Sequence, residues 1–159
     1  MNTTKIKINL VKRQTLKKLV EQINQGGLTY CPSLNKDYVR TEHVAIAPFP
    51  ERSQIFTGKA TKRIVTNYCK KNNDLISKHF SLGAWFDKGS SKTYLDIVAP
   101  IPLEKKSEAL TLGINANQIA GFNLSDFSEI PLGGTGEFNL SMVTPFHKRL
   151  NEALALISN

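Results

Sequence analysis

The stretch from Leu82 to Ala99 constrains the fold most, because it has the pattern of two strands joined by a turn. Residues 82–86 and 93–98 are rich in the β-branched and aromatic side chains that suit a pleated surface. Asp87, Gly89 and Ser90 lie between them and favour a connecting loop. The pattern predicts a β-hairpin, and the prolines at 100 and 102 are expected to end its pairing, since proline cannot donate to a central ladder.

Two strands alone are marginally stable in water, so further elements must cover the hairpin. Apolar spacing and turn residues predict amphipathic helices at 14–25, 61–72 and 145–157, with a short helix at 109–112 that stops at Gly113. Further strands are predicted at 28–31 and 43–47, which are expected to pair, and at 118–124 and 129–132. Residues 5–11 alternate like a strand, with a helix lead-in as the alternative.

These elements together predict an α+β fold with a mainly antiparallel sheet centred on a hairpin at 82–98 and three to four packed helices. A length of 159 residues suits a single domain, 1–159. It would contain a basic N-terminal helix (14–25), a core (26–136) and a C-terminal helix (145–157). Trp85, the only tryptophan, is expected to be largely buried, with exposure as a contact anchor as the alternative.

The charge of the chain is unevenly distributed. Residues 1–79 carry 15 Lys and Arg against 5 Asp and Glu, whereas residues 80–159 carry 6 against 8. An excess of this kind indicates an anionic partner, and lysines that serve only solubility are the alternative. The residues predicted to contact phosphates are Lys12, Arg13, Lys17, Lys18, Lys59, Lys62, Arg63, Lys70 and Lys71. Tyr38, Phe49 or Phe56 are candidates for stacking on bases.

Four residues are candidates for catalysis. Glu51 and Arg52 follow a predicted strand in a polar loop, where an acid/base group or a phosphate-binding guanidinium is often found. Asp87 and Asp96 lie in the two arms of the hairpin and would serve as general acid and base if they met across it. The alternatives are a salt bridge at the loop, a turn cap at Asp87 and a solvent-facing Asp96.

Other site chemistries are not supported by motifs. The three histidines and two cysteines lack metal-ligand spacing, so neither a metal nor a cofactor is expected. Cys31 and Cys69 are expected to be reduced thiols, with Cys69 inert on a buried helical stripe. The glycine-rich segment 132–136 lacks the Lys-Ser/Thr of a phosphate loop and is predicted to be a flexible connector. No apolar run is long enough to span a membrane, which predicts a cytoplasmic protein.

A set of residues between Gly26 and Gly136 resembles a loose family of small accessory proteins of phages and conjugative plasmids, also found as domains of their large polyvalent proteins. The residues that carry the resemblance are Gly26-Gly27 with Thr29, Val44 to Pro48 with Glu51, Asn73 with Leu75-Ile76, Gly83 to Trp85 with Asp87, Tyr94 to Ile97, Glu108-Ala109, Asn117 to Ala120 and Glu129-Ile130. The resemblance implies a mobile-element protein that acts in a host cytoplasm, and it implies no specific activity.

These observations predict a basic binding module that engages a nucleic acid or a host nucleoprotein and inhibits a host defence system of the CRISPR or restriction type. The lack of a catalytic motif favours a role without catalysis. Two alternatives stay open. One is an enzyme that acts on a nucleotide or a protein side chain through Glu51, Arg52, Asp87 and Asp96, and the other is a purely protein-binding inhibitor.

Overall fold

The computed structural model describes residues 13–157, and it contains five α-helices and eight strands in that range. The helices are α1 (Arg13–Gln25), α2 (Lys62–Lys71), α3 (Asn73–Ile76), α4 (Lys106–Asn115) and α5 (Phe146–Ile157), with short 3-10 turns at Pro50–Arg52 and Leu103–Lys105. The strands are β1 (Gly27–Cys31), β2 (Lys36–Asp37), β3 (His43–Ile46), β4 (Gln54–Thr57), β5 (Ser81–Asp87), β6 (Lys92–Pro102), β7 (Ala120–Asn123) and β8 (Glu129–Pro131). The prediction of an α+β fold is confirmed.

The sheet is built around the long strand β6. Its order is β2-β1-β5-β6-β3-β7-β8, every pairing is antiparallel, and β4 also pairs with β6. The first half of β6 pairs with β5 on one side and with β4 on the other, and its second half pairs with β3. The β5–β6 hairpin is therefore the centre of the sheet, as the sequence predicts.

One face of the sheet carries the main core. Residues that alternate along the central strands, such as Leu82 and Ala84 on β5 and Leu95 and Ile97 on β6, are buried in one cluster with residues of α1, α2, α4 and α5. Because successive side chains of a strand point to opposite faces, the residues between them lie on the other face. That second face is only partly covered, by a small cluster that includes Tyr38, Val98 and Leu124.

The predicted helices are found close to their expected bounds, because a buried apolar stripe is a local pattern. Thr61 caps α2, because its hydroxyl accepts a hydrogen bond from the Ile64 amide at the start of the helix. The predicted stop at Gly113 is wrong, since α4 continues to Asn115. A Cβ at Gly113 would lie 2.5 Å from Leu132 Cδ1, so this glycine permits close packing inside the helix.

Two strand predictions are also corrected. The strands at 28–31 and 43–47 do not pair with each other: β1 pairs with β2 and β5, and β3 pairs with β6 and β7. Pairing does not end before Pro100, which is the register partner of Ala45. Strand β5 pairs with β6 only as far as Val98, so beyond this residue one side of β6 has no partner strand. Pro100 and Pro102 are tolerated there because no hydrogen bond from their backbone nitrogen is needed on that side. The strand predicted at 5–11 lies outside the described residues.

Candidate nucleic-acid interface

The turn of the β5–β6 hairpin brings together cations from two distant segments. The Gly58 amide donates to the Ser91 carbonyl over 2.7 Å, and the Thr93 hydroxyl donates to the Gly58 carbonyl over 2.7 Å. These bonds hold the end of β4, followed by Lys59, against the hairpin turn. We define the hairpin-end surface as the exposed lysines and arginine Lys59, Lys62, Arg63, Lys88 and Lys92. This surface contains five positive charges, and the carboxylate of Asp87 lies at the same turn.

The segment from Ser53 to Asn73 supplies most of the predicted basic residues and contains no acid. Lys62 and Arg63 lie at the start of α2, and Lys70 and Lys71 lie at its end, all exposed. About eight residues separate the two pairs, which is about 12 Å along the helix axis. None of these four side chains forms an ion pair with a carboxylate within residues 13–157. Their charge is therefore available to a partner.

Helix α1 lies beside α2. The Asn24 side chain donates to the Ala60 carbonyl over 3.0 Å and accepts from the Ala60 amide over 2.9 Å, which ties the end of α1 to the lead-in of α2. Lys17 and Lys18 are exposed on α1. Lys12 lies outside the described residues, and of Arg13 only the helical backbone is described.

An aromatic pair occupies the open face of the sheet next to the hairpin turn. Trp85 and Tyr94 are register partners on β5 and β6, their ring centroids are 5.1 Å apart, and their planes differ by 25°. Ile55 on β4 is the register partner of Tyr94 on its other side, and it is exposed. We name Ile55, Tyr94 and Trp85 the aromatic platform. Ile55 and Trp85 are more than half exposed and Tyr94 is half-buried, so Trp85 supplies the accessible ring.

The burial predicted for Trp85 is wrong, because 53% of this residue is exposed. Its neighbours Ala84 and Phe86 point to the helix-covered face, so Trp85 faces the open one. The predicted stacking residues are corrected as well. Phe49 and Tyr38 are buried and Phe56 packs against the main core, so their rings are not available to a base.

Asp96 lies on the same face as the aromatic platform, one row further from the hairpin turn. Its register partner on β5 is Gly83, and its Oδ1 accepts a hydrogen bond from the Ser53 hydroxyl. Burial raises the pKa of Asp96, and the hydrogen bond from Ser53 opposes that rise.

Asp87 lies at the hairpin turn. It accepts hydrogen bonds from the Ser90 hydroxyl and the Gly89 amide, and these bonds lower its pKa. This is the turn cap named as the alternative to a catalytic role. Asp87 lies four positions along β5 from Gly83, the register partner of Asp96, which is about 13 Å along the strand. The aromatic platform lies between the two carboxylates. The two carboxylates therefore do not meet.

Glu51 and Arg52 each belong to a separate ion pair. The Arg149 guanidinium, of which 1% is exposed, donates to both Glu51 oxygens over 2.6 and 2.7 Å. Arg52 donates to both Asp74 oxygens over 2.9 and 2.8 Å, and this contact lowers the pKa of Asp74. The four candidate catalytic residues are thus bound to different partners rather than gathered at one cleft.

The remaining motifs have structural roles. The Asn117 side chain accepts from the Thr135 amide over 3.0 Å and donates to the Glu137 carbonyl over 3.1 Å, which holds the glycine-rich segment against the end of α4. Both cysteines are buried and unpaired, and burial raises the pKa of Cys69 to about 12. Within residues 13–157, no group of three or more His, Cys, Asp or Glu side chains is placed to hold a metal ion.

Sequence reasoning missed Lys88, Lys92 and Tyr94 as members of a surface, and Arg149 as the partner of Glu51. Only the pairing of Trp85 with Tyr94 could have been predicted, because a hairpin at 82–98 makes these two residues near neighbours across two strands. The position of Lys59 next to the hairpin depends on β4, a strand that the sequence did not indicate.

The fold and its surfaces define a class: a small antiparallel α+β domain with a helix-covered face and a partly open face that carries aromatic side chains. Comparison with protein families, characterised proteins and solved structures gives no significant match. No helix in the described part of the chain is both long and apolar enough to cross a membrane.

Proposed function

We propose that the protein binds single-stranded nucleic acid, free or within a nucleoprotein, through the hairpin-end surface and the aromatic platform. The observation that carries the proposal is the Trp85–Tyr94 stack on the open face, one row from Lys92 and next to the hairpin turn against which the segment that carries Lys59 is held. Proteins that bind single strands combine positive charges along the backbone with aromatic rings on which bases stack.

The geometry gives each part a role. Lys92 lies two residues from Tyr94 on the same strand, so its side chain faces the same side of the sheet. A base stacked on Trp85 and Tyr94 would place its phosphate within reach of Lys92 and the hairpin-end surface. The cations at the end of α2 would contact further phosphates. Double-stranded DNA lacks unstacked bases, so it would gain only the electrostatic part of this affinity.

The test is fluorescence anisotropy of a labelled oligonucleotide at several salt concentrations. Binding to phosphates releases counterions, so affinity should fall as salt rises, with a slope of about −0.7 per phosphate contacted on a single strand. Replacing Lys59, Lys88 and Lys92 with Gln should weaken binding and flatten the slope. The matched control replaces Lys105, Lys106 and Lys148 with Gln, which removes the same charge elsewhere. Equal losses in both triple variants would contradict the proposed surface.

We also propose that the protein is a phage- or plasmid-type accessory protein that acts in a host cytoplasm and blunts a defence system of the CRISPR or restriction type. The resemblance of residues 26–136 to mobile-element proteins supports this role. The test is the plating efficiency of a sensitive phage on cells with a defined defence system. Expression of the protein should raise the efficiency, and the Lys59, Lys88 and Lys92 triple variant should not.

A second candidate function is protein binding, and a different surface favours it. Leu140 is 85% exposed, and Phe138, Met142, Ile114 and Ile119 are exposed on the same end of the molecule. The Asn117 side chain accepts a hydrogen bond from the Thr135 amide and donates one to the Glu137 carbonyl, and the Thr144 amide donates to the Asn115 carbonyl. These bonds hold the segments together. No Lys or Arg occurs between Lys106 and Lys148, so a partner would present an apolar groove with a basic rim.

An enzyme is less well supported, because the four candidate catalytic residues are bound to separate partners. An activity assay on nucleotides with Asp96→Asn tests the remaining carboxylate beside the aromatic platform. Turnover in the wild-type protein that this variant abolishes would restore the enzyme hypothesis.

A further inference from the structure

Three rows of residues cross the open face at the hairpin. The row at the turn contains Lys92 and its register partner Asp87, the middle row is the aromatic platform, and the inner row contains Ser53, Asp96 and Gly83. Successive rows on one face are two residues apart, about 6.6 Å. This spacing places Lys92 and Asp87 on one side of a stacked ring and the carboxylate of Asp96 on the other.

We infer that the aromatic platform prefers nucleobases that carry an exocyclic amino group, and that Asp96 is the residue that selects them. The inference rests on the proposed function and names the class of base that the same surface binds. Asp96 would accept a hydrogen bond from the amino group, while Trp85 and Tyr94 contact the face of the ring.

The carboxylate is placed to accept such a bond. The Ser53 hydroxyl donates to Oδ1, and Oδ2 has no hydrogen-bond partner within residues 13–157. Gly83, the register partner of Asp96 on β5, has no side chain of its own, and a Cβ there would lie 2.4 Å from Val98 Cγ2, so Val98 fills the space above it. Asp96 is half-buried rather than fully buried, so its unpaired oxygen borders the open face next to the aromatic platform.

The chemistry of the bases separates two groups. Cytosine presents its N4 amino group as a donor, and a carboxylate accepts from it. Thymine presents an O4 carbonyl at the same position, whose lone pairs repel a carboxylate. Because the two pyrimidines are alike in size and charge, stacking on Trp85 and contact with Lys92 do not account for a difference between them. A preference for cytosine over thymine would therefore indicate that Asp96, in the inner row, contacts the base.

The experiment compares the affinity of the whole protein for oligo(dC) and oligo(dT) of equal length at pH 7 by anisotropy. The wild-type protein should bind oligo(dC) about tenfold more tightly, a ratio that corresponds to about 1.4 kcal/mol. Asp96→Asn should reduce the ratio to about one. Asp87→Asn is the matched control, because it removes a carboxylate from the turn-side row, and it should leave the ratio unchanged.

The outcomes separate this inference from the proposed function. Equal affinity of the wild-type protein for both oligonucleotides would overturn the inference and leave single-strand binding intact. A preference that persists in Asp96→Asn would overturn it in the same way. Absence of binding to either oligonucleotide at low salt would overturn both. The wild-type ratio needs no variant, so the inference is testable even if Asp96→Asn fails to fold.

Discussion

Arg149 and Glu51 form a bidentate ion pair that joins α5 to the turn between β3 and β4, across 98 positions of the chain. Arg149 also donates to the carbonyls of Pro48 and Thr144, so this buried guanidinium bonds both to the turn that contains Glu51 and to the residues just before α5. The pair satisfies a charge that is almost completely removed from water, which is why breaking it should cost far more than losing a surface salt bridge.

Arg149→Met should lower the free energy of unfolding by about 3 to 5 kcal/mol, because Glu51 and two carbonyls lose their partner in a largely buried site. Urea denaturation followed by circular dichroism measures the change. Lys148→Met, at the exposed neighbouring position, should stay within about 0.5 kcal/mol of wild type. Equal stability of the two variants would show that the ion pair does not hold α5 in place.

Trp85→Ala should cost about 1 kcal/mol or less, because Trp85 is half exposed and loses mainly its cross-strand contact with Tyr94. Phe80→Ala is the comparison, since Phe80 is fully buried against Phe49 and should cost about 3 to 5 kcal/mol. Thermal denaturation of both variants measures this. A loss for Trp85→Ala as large as that for Phe80→Ala would mean that the tryptophan is a core residue.

The pH dependence of stability should report the burial of Asp96. Burial raises its pKa above the ordinary value of 3.8, so the folded state binds more protons than the unfolded state between those two values. The contribution of Asp96 to the free energy of unfolding therefore falls as pH rises from about 4 through its folded pKa, and Asp96→Asn removes this term.

Urea denaturation at several pH values tests this sign. The stability of Asp96→Asn relative to wild type should increase as pH rises through that window. Asp74 has a lowered pKa, so Asp74→Asn should show the opposite trend, losing stability relative to wild type as pH rises through the range below 3.8. Parallel pH profiles for wild type and Asp96→Asn would contradict the burial of this carboxylate.

Asn117→Ala should loosen the segment after β8. The Asn117 side chain bonds to Thr135 and Glu137, and its backbone has a φ of 55°, a conformation that asparagine tolerates better than alanine. Chymotrypsin should cleave the variant faster at Phe138 or Leu140 than it cleaves wild type. Thr111→Ala, at an exposed position of α4, should leave the rate unchanged. A similar cleavage rate for Asn117→Ala would indicate that the clamp is dispensable.

The sequence predicted the helices and the central hairpin because both depend on local patterns. Leu16, Leu19 and Ile23 repeat at helical spacing, and the packed helix buries that stripe. The apolar run at 82–86 predicted a strand but not its orientation, since small and apolar residues occupy both of its faces. Which face the helices cover therefore decided whether Trp85 was buried.

The candidate site depended on contacts between distant segments, which composition and spacing do not specify. Lys62, Arg63, Lys70 and Lys71 are exposed on α2, as expected for charged residues beside an apolar helical stripe, whereas the anionic partner inferred from the charge excess stays a prediction. Lys59 is held near the hairpin by the bond between its neighbour Gly58 and Ser91, and the partner of Glu51 lies 98 positions away. Neither contact leaves a periodic signal in the sequence.

The emission of Trp85 tests the central claim most directly, because it is the only tryptophan of the chain and it belongs to the aromatic platform. Titration with a single-stranded oligonucleotide should quench the fluorescence to saturation, and raised salt should reverse the quenching as phosphate contacts weaken. Tyr94→Ala should weaken the binding that the quenching reports. Unchanged Trp85 emission with an oligonucleotide that anisotropy shows to be bound would contradict the account.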